Sequence, residues 1–174
     1  MSTKGNKKHI IGALVENEAG ALSRVVGLFS QRGYNIESLT VAPTADNSLS
    51  RLTLTTDASA DVIEQIAKQL NKIVPVYKVL ELSETEHVER EVLLIKVRAQ
   101  GEYRSEIWRL VEIFGGRVID TTPSTYIIEV FGRSSKLNAF LETLDNSRIL
   151  EMARSGVVSI TSGARAIAIE EQKD

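Results

Sequence analysis

The chain has no cysteine, which rules out a disulfide framework, a thiolate nucleophile and a cysteine–zinc site. Its only histidines are His9, in an apolar run, and His87, in a charged one. A centre built from several histidines is therefore excluded, and no metal site is expected. A serine–histidine–acid triad would have to use one of these two residues, for which a strand end and a solvated linker are the simpler readings. Aromatic residues make up 5% of the chain, too few for a base-stacking platform. There is no GxxxxGK and no GxGxxG after a strand, so no phosphate-cradling loop is written here. No apolar run reaches the roughly 18 residues of a membrane helix, and the start, MSTKGNKKH, lacks the apolar stretch of a signal peptide. The formal net charge of -2 gives no footing for phosphate binding. A cytoplasmic, membrane-free protein that binds no nucleic acid is the expectation.

What is present is periodicity. His9–Val15 is almost continuously apolar, as in a central strand covered on both faces. Leu22, Val25, Val26 and Phe29 then recur at helical spacing, and Gly33 stands where a left-handed residue would end that helix. Ile36–Val41 and Leu49–Thr55 read as strands, Ala60–Lys72 as a helix with Val62, Ile63, Ile66 and Leu70 inward, and Val74–Leu82 as a closing strand. The order βαββαβ recurs beyond the polar run SETEHVER. Val92–Val97 is a strand, Ser105–Phe114 a helix stopped by Gly115-Gly116, and 117–121 with 125–131 a hairpin around Pro123. A helix marked by Leu137, Phe140, Leu141 and Leu144 and a last strand within Ile149–Ile160 complete it.

The fold class that follows is α+β, with two tandem ferredoxin-like βαββαβ domains. The expected boundaries are an N-terminal arm over 1–8, a first domain over 9–82, a linker over 83–90, a second domain over 91–162 and a tail over 163–174. Glu84, Glu86, Glu89 and Glu91 lie in or beside the linker and read as a solvated charged run. Arg32-Gly33-Tyr34 is similar to the start of an RNA-recognition motif, but it lies at the helix-to-second-strand turn. The third strand, LSRLTLT, offers no ring for a base.

The stretch NEAGALSRVVGLFSQRGYNIESLT, 17–40, is the most informative. A helix beginning near Gly20 exposes its first amides and the positive end of its dipole, which suits a carboxylate. Asn17 and Asn35 each supply a donor and an acceptor. On spacing alone, turn chemistry is the simpler account: Asn17 caps a turn, Gly20 relieves a bend and Asn35 follows the Gly33 stop.

The pattern N-E-A-G-A-L-S-R-V, helix, R-G-Y-N-I resembles an ACT domain, the amino-acid-binding regulatory module. Together with LSRLTLTT, HVEREVLLIKV (87–97) and EMARSGVVSI (151–160), it resembles the regulatory, or small, subunit family of acetolactate synthase, from about His9 to Ile160. The resemblance implies a non-catalytic chain that binds no cofactor of its own. Its partner would be a catalytic subunit carrying thiamine diphosphate, magnesium and FAD, which it activates. It implies a homodimer, and feedback inhibition by a branched-chain amino acid, usually valine, bound where two ACT domains pair. The effector-binding residues it implies are Asn17, Ala19, Gly20, Ala21 and Leu22 on the loop, with Asn35 and Ile36 from across the interface. Ala19 stands where ACT domains often carry proline. Trp108 and Arg154 are candidates for the surface that meets the catalytic subunit. A free-standing ACT sensor acting on another enzyme or transcription system is the alternative.

Overall fold

The computed structural model describes residues 7–167. Residues 1–6 of the expected arm and 168–174 of the expected tail lie outside the described residues, while Lys7 and Lys8 open the first strand. The described residues divide into two compact units, 7–88 with 157–167, and 89–156.

The first unit contains β1 (Lys7–Glu16), α1 (Ala21–Arg32), β2 (Ser38–Pro43), β3 (Leu49–Ala58), α2 (Ala60–Leu70) and β4 (Val76–Glu81). Its antiparallel sheet has the order β2-β3-β1-β4, so β1 is central and β2 lies at an edge. The helix-side core is Ile11, Ala13, Val15, Leu52 and Leu54 against Val25, Phe29, Ile63, Ile66 and Leu70. Strand alternation sends Ile10, Leu14, Thr53 and Thr55 to the opposite face, and they are buried too. That second face is covered from a distance along the sequence. Val157 packs with Ile10 and Leu82, Thr40 Oγ1 donates to Val157 O at 3.2 Å, and Arg51 Nη2 donates to Ser159 O at 3.0 Å. Burial pushes the Arg51 guanidinium pKa down.

Helix α1 is rotated relative to the stripe read from the sequence. Ala21, Val25 and Phe29 are buried, while Leu22 and Val26 are 40% and 37% exposed. A 3.6-residue period allows two adjacent stripes that share Val25 and Phe29, and packing selected the one containing Ala21 and Leu28. Gly33 does stop the helix. At φ 69° it adopts the left-handed conformation that costs L-residues with a Cβ energy, and Tyr34 N donates to Phe29 O at 2.9 Å.

The second unit repeats the order with the rest of β5 (His87–Arg98), α3 (Glu102–Ile113), β6 (Arg117–Thr121), β7 (Thr125–Gly132), α4 (Ser134–Glu142) and β8 (Ile149–Arg154). The path of its sheet is β6-β7-β5-β8. Leu93, Ile95, Val97, Tyr126, Ile128 and Val130 meet Ile107, Val111, Leu137 and Phe140 in its core.

Three sequence expectations change here. The run 83–90 is not wholly a linker, because β5 begins at His87 and the division between units falls inside that strand. The last strand is two. At Ser155 the side chain takes over a ladder contact, accepting from Val92 N at 3.0 Å, and Gly156 at φ 79° turns the chain away. The following β9 (Val158–Thr161) pairs with β5, with Ser159 Oγ donating to Val88 O at 3.1 Å, and residues 157–161 group with the first unit rather than with a 91–162 domain. Finally, Glu91 is not solvated. It is 5% exposed and held by Arg154 Nε at 2.9 Å and Nη2 at 2.6 Å, with Ser134 Oγ at 2.9 Å.

Candidate functional site

The corner between β1 and α1 is held by hydrogen bonds that sequence spacing cannot reveal. Asn17 N donates to Ser48 O at 2.7 Å, Asn17 Nδ2 donates to Asn47 O at 2.8 Å, and Ser50 Oγ donates to Asn17 Oδ1 at 3.1 Å. Both ends of the Asn17 amide are thus engaged in fastening residues 17–20 to the β2–β3 loop. That loop is itself organised around Asp46, which accepts from Ser48 Oγ at 2.7 Å and from Ser48 N at 2.9 Å. The Ser48 hydroxyl and amide hold the Asp46 carboxyl below its ordinary pKa. On the β1 side, Tyr77 donates its hydroxyl to Glu16 Oε1 at 2.9 Å, and this bond raises the phenol pKa.

Gly20 is the N-cap of α1, with φ 91° and ψ -14°. A Cβ placed there would meet nothing within 4 Å, so the space over the loop is open and the demand for glycine is conformational. No side chain caps this helix and its first turn has no acidic residue. The amides of the first turn have no intrahelical acceptor by geometry, and together with the dipole they favour an anion. Ala19 is exposed on the loop, and Leu22 projects an exposed apolar side chain beside it. Ala21 is 2% exposed, so only its backbone belongs to the corner, and its amide reaches Glu18 O at 3.4 Å.

Asn35 and Ile36 lie at the other end of α1. Asn35 O accepts from Thr56 Oγ1 at 2.5 Å, its Nδ2 is hydrogen-bonded to Glu37, and Ile36 is half-buried against the core. Thr56 marks this end and Ser50, bonded to Asn17, the other; both lie on β3. Six residues of strand put the two groups about 20 Å apart within one chain. Within one copy the two groups of candidate residues therefore stand apart.

The remaining candidates have structural partners. His87 Nδ1 lies 2.7 Å from Thr85 O. Trp108 is half exposed, stands edge-on to Tyr126 and donates Nε1 to Glu112 at 3.0 Å. Arg154 is occupied with Glu91 and with Asn138 Oδ1 at 2.9 Å. Sequence reasoning missed Asp46, Asn47, Ser48 and Ser50 as parts of the corner. The turn-rich 43–47 signal was visible, but not which loop it would meet.

Similarity to known proteins now bears on this geometry. Residues 11–78 match the family model of the AHAS small subunit-like ACT domain, and residues 90–163 match that of the small subunit of acetolactate synthase. The acetolactate synthase small subunit of Haemophilus influenzae is 53% identical over 161 residues, covering 92% of this chain and 99% of the relative. The acetolactate synthase isozyme 3 small subunit of Escherichia coli is 55% identical over 157 residues, covering 90% and 96%. A crystal structure of the small subunit from Thermotoga maritima superposes with a TM-score of 0.82 at 41% identity, covering 91% of this chain and 99% of that one. With an ACT domain in its first half and the small-subunit domain in its second, the chain belongs to the family of acetolactate synthase small, regulatory subunits.

Proposed function

We propose that this chain activates a thiamine-diphosphate-dependent acetolactate synthase catalytic subunit and confers on it feedback inhibition by a branched-chain amino acid, valine first among them. The observation that carries the effector half of this reading is the uncapped start of α1 beneath the open space at Gly20. Thiamine diphosphate, magnesium and FAD belong in this reading to the catalytic partner. The chain itself has no catalytic role and works in the cytoplasm. Among the described residues no helix is long and apolar enough to cross a membrane.

Taken as half-sites, the Gly20 corner and the Asn35 end explain why the working unit is a dimer. The β2 edge presents unpaired backbone groups, and a two-fold axis would pair it with the β2 edge of a second copy. Antiparallel pairing sets the start of one β2 opposite the end of the other. Pro43 stands level with Ser50, at the Asn17 end, and Ser38 level with Thr55, at the Asn35 end. Such pairing brings Asn35 and Ile36 of one copy toward the Gly20 corner of its neighbour.

In this arrangement the first-turn amides of Leu22 and Ser23 receive the effector carboxylate. Asn17 acts by fixing the corner through Asn47 and Ser50. The Asn35 amide oxygen and the Glu37 carboxylate accept from the ammonium group, and Leu22 and Ile36 line the seam for an aliphatic side chain. Because the ligand touches both copies, its affinity depends on how they pack, and a coupling of ~1–3 kcal/mol is enough to change activity clearly. Calorimetric titration of valine, leucine and isoleucine into the purified chain tests the site. Saturable heat with at least one is expected, and no heat from any at millimolar ligand overturns the sensor reading.

A further inference from the structure

Away from the Gly20 corner, at the opposite end of the first sheet, three potential metal ligands converge. His9 on β1 is 4% exposed, and its Nδ1 lies 3.1 Å from Glu81 Oε1 at the end of β4. Glu84, in the turn that follows β4, donates its backbone amide to Glu81 Oε2 at 3.2 Å and turns its own carboxylate to the same place. One ligand atom from each of His9, Glu81 and Glu84 lies within 4.8 Å of the others. From spacing, His9 is an isolated strand residue and Glu84 part of a charged run. Antiparallel pairing of β1 with β4, which sets Ile11 beside Glu81, brings them together.

We propose that His9, Glu81 and Glu84 form a site for a divalent transition-metal ion, with Zn²⁺ as the best match. Two ligand atoms on one tetrahedral ion, each about 2.0–2.2 Å from it, stand roughly 3.3–3.6 Å apart, a few tenths of an ångström more than the 3.1 Å between His9 Nδ1 and Glu81 Oε1. One imidazole with two carboxylates is a zinc donor set that leaves a fourth position for water. The imidazole disfavours Mg²⁺ and Ca²⁺, which take oxygen ligands. Charge also favours a dication. Two carboxylates meet here, and the ammonium beside them is Lys7, 3.2 Å from Glu84 Oε1 and largely exposed. Lys7 then competes with the metal for Glu84. The Glu84 amide on Glu81 Oε2 orients the carboxylate from behind, as outer-sphere partners do. The site stands independently of the effector reading. It lies at the end of the sheet that carries Asn35, since His9 pairs with Thr56 and Thr56 bonds Asn35 O.

The test is calorimetric titration of ZnCl₂ into the untagged full chain and three variants, with thermal unfolding followed in parallel. One Zn²⁺ per chain and a raised unfolding temperature are expected. His9→Ala and Glu84→Gln are each expected to weaken binding at least about tenfold. Lys7→Ala is expected to strengthen it several-fold, because it removes the competing ammonium. Glu84→Gln changes an exposed side chain and remains informative if His9→Ala fails to fold. The proposal is overturned by an absence of saturable Zn²⁺ binding. It is equally overturned by binding that neither Glu84→Gln nor His9→Ala weakens, or by binding that moves with His87→Ala instead.

Discussion

The two units write the same strand-to-helix corner with different charged side chains. In both, a glycine (Gly20 or Gly101) leads without a side-chain cap into the helix, with open space where its Cβ would stand. The first turn of α1 has no acidic residue, whereas that of α3 carries Glu102. There Arg104 folds back over the corner, donating to Ala99 O at 3.2 Å, Thr122 O at 2.8 Å and Thr121 Oγ1 at 2.8 Å. Its guanidinium also lies 4.2 Å from the Tyr126 ring centroid. The corners thus differ in charge: Glu102 and Arg104 stand at the second, and no acidic side chain stands in the first turn of the first.

Substitutions can break this contrast from either side. The largest effect is expected at the second unit's internal lock. Arg154→Ala leaves the Glu91 carboxylate buried with Ser134 as its remaining partner, and urea denaturation should show a loss of about 3 kcal/mol. Valine heat should persist in this variant under native conditions. Next is Gly20→Asp, which forces a residue with a Cβ into the left-handed region and sets a negative charge where the proposed effector carboxylate would lie. Valine affinity should fall at least roughly 30-fold, or about 2 kcal/mol, while activation of the catalytic subunit is largely kept. Loss of both together would show that the effector site and the activating surface are one.

Removing Arg104 from the second corner is expected to cost less. Arg104→Ala should lower stability by about 1–2 kcal/mol through lost hydrogen bonds and leave valine binding unchanged. The smallest effect concerns Asp46, whose folded pKa is lowered from 3.8 by Ser48. A depressed carboxylate pKa contributes stability that is present above the unfolded value and lost as pH falls through the folded one. Hydrogen-exchange protection at the Ser48 amide, corrected for intrinsic rates, should therefore be flat near neutrality and fall only in acid, below 3.8.

Much of this architecture is legible in local pattern. The apolar period placed all four α-helices, the Gly33 and Gly115 stops, and a 117–131 hairpin whose observed strands, Arg117–Thr121 and Thr125–Gly132, match it closely. What local pattern leaves open is rotation and long-range pairing. The stripe of α1 was ambiguous by one position, and its resolution left Leu22 and Val26 outside, where an apolar seam between copies would need them. The meetings of Asn17 with Asn47 and Ser50, of Glu91 with Arg154, and of His9 with Glu81 join residues about thirty or more positions apart. Such contacts are set by sheet register, which no window of sequence contains. Arg154 illustrates the consequence: exposed at the end of β8, it also pairs with the buried Glu91, which no local pattern shows.

The most direct test is acetolactate formation by an acetolactate synthase catalytic subunit, measured alone, with this chain added, and with this chain and valine. A rate raised by the chain and lowered again by valine is the predicted result. A rate that the chain leaves unchanged, or an activated rate indifferent to valine, leucine and isoleucine alike, would contradict the account.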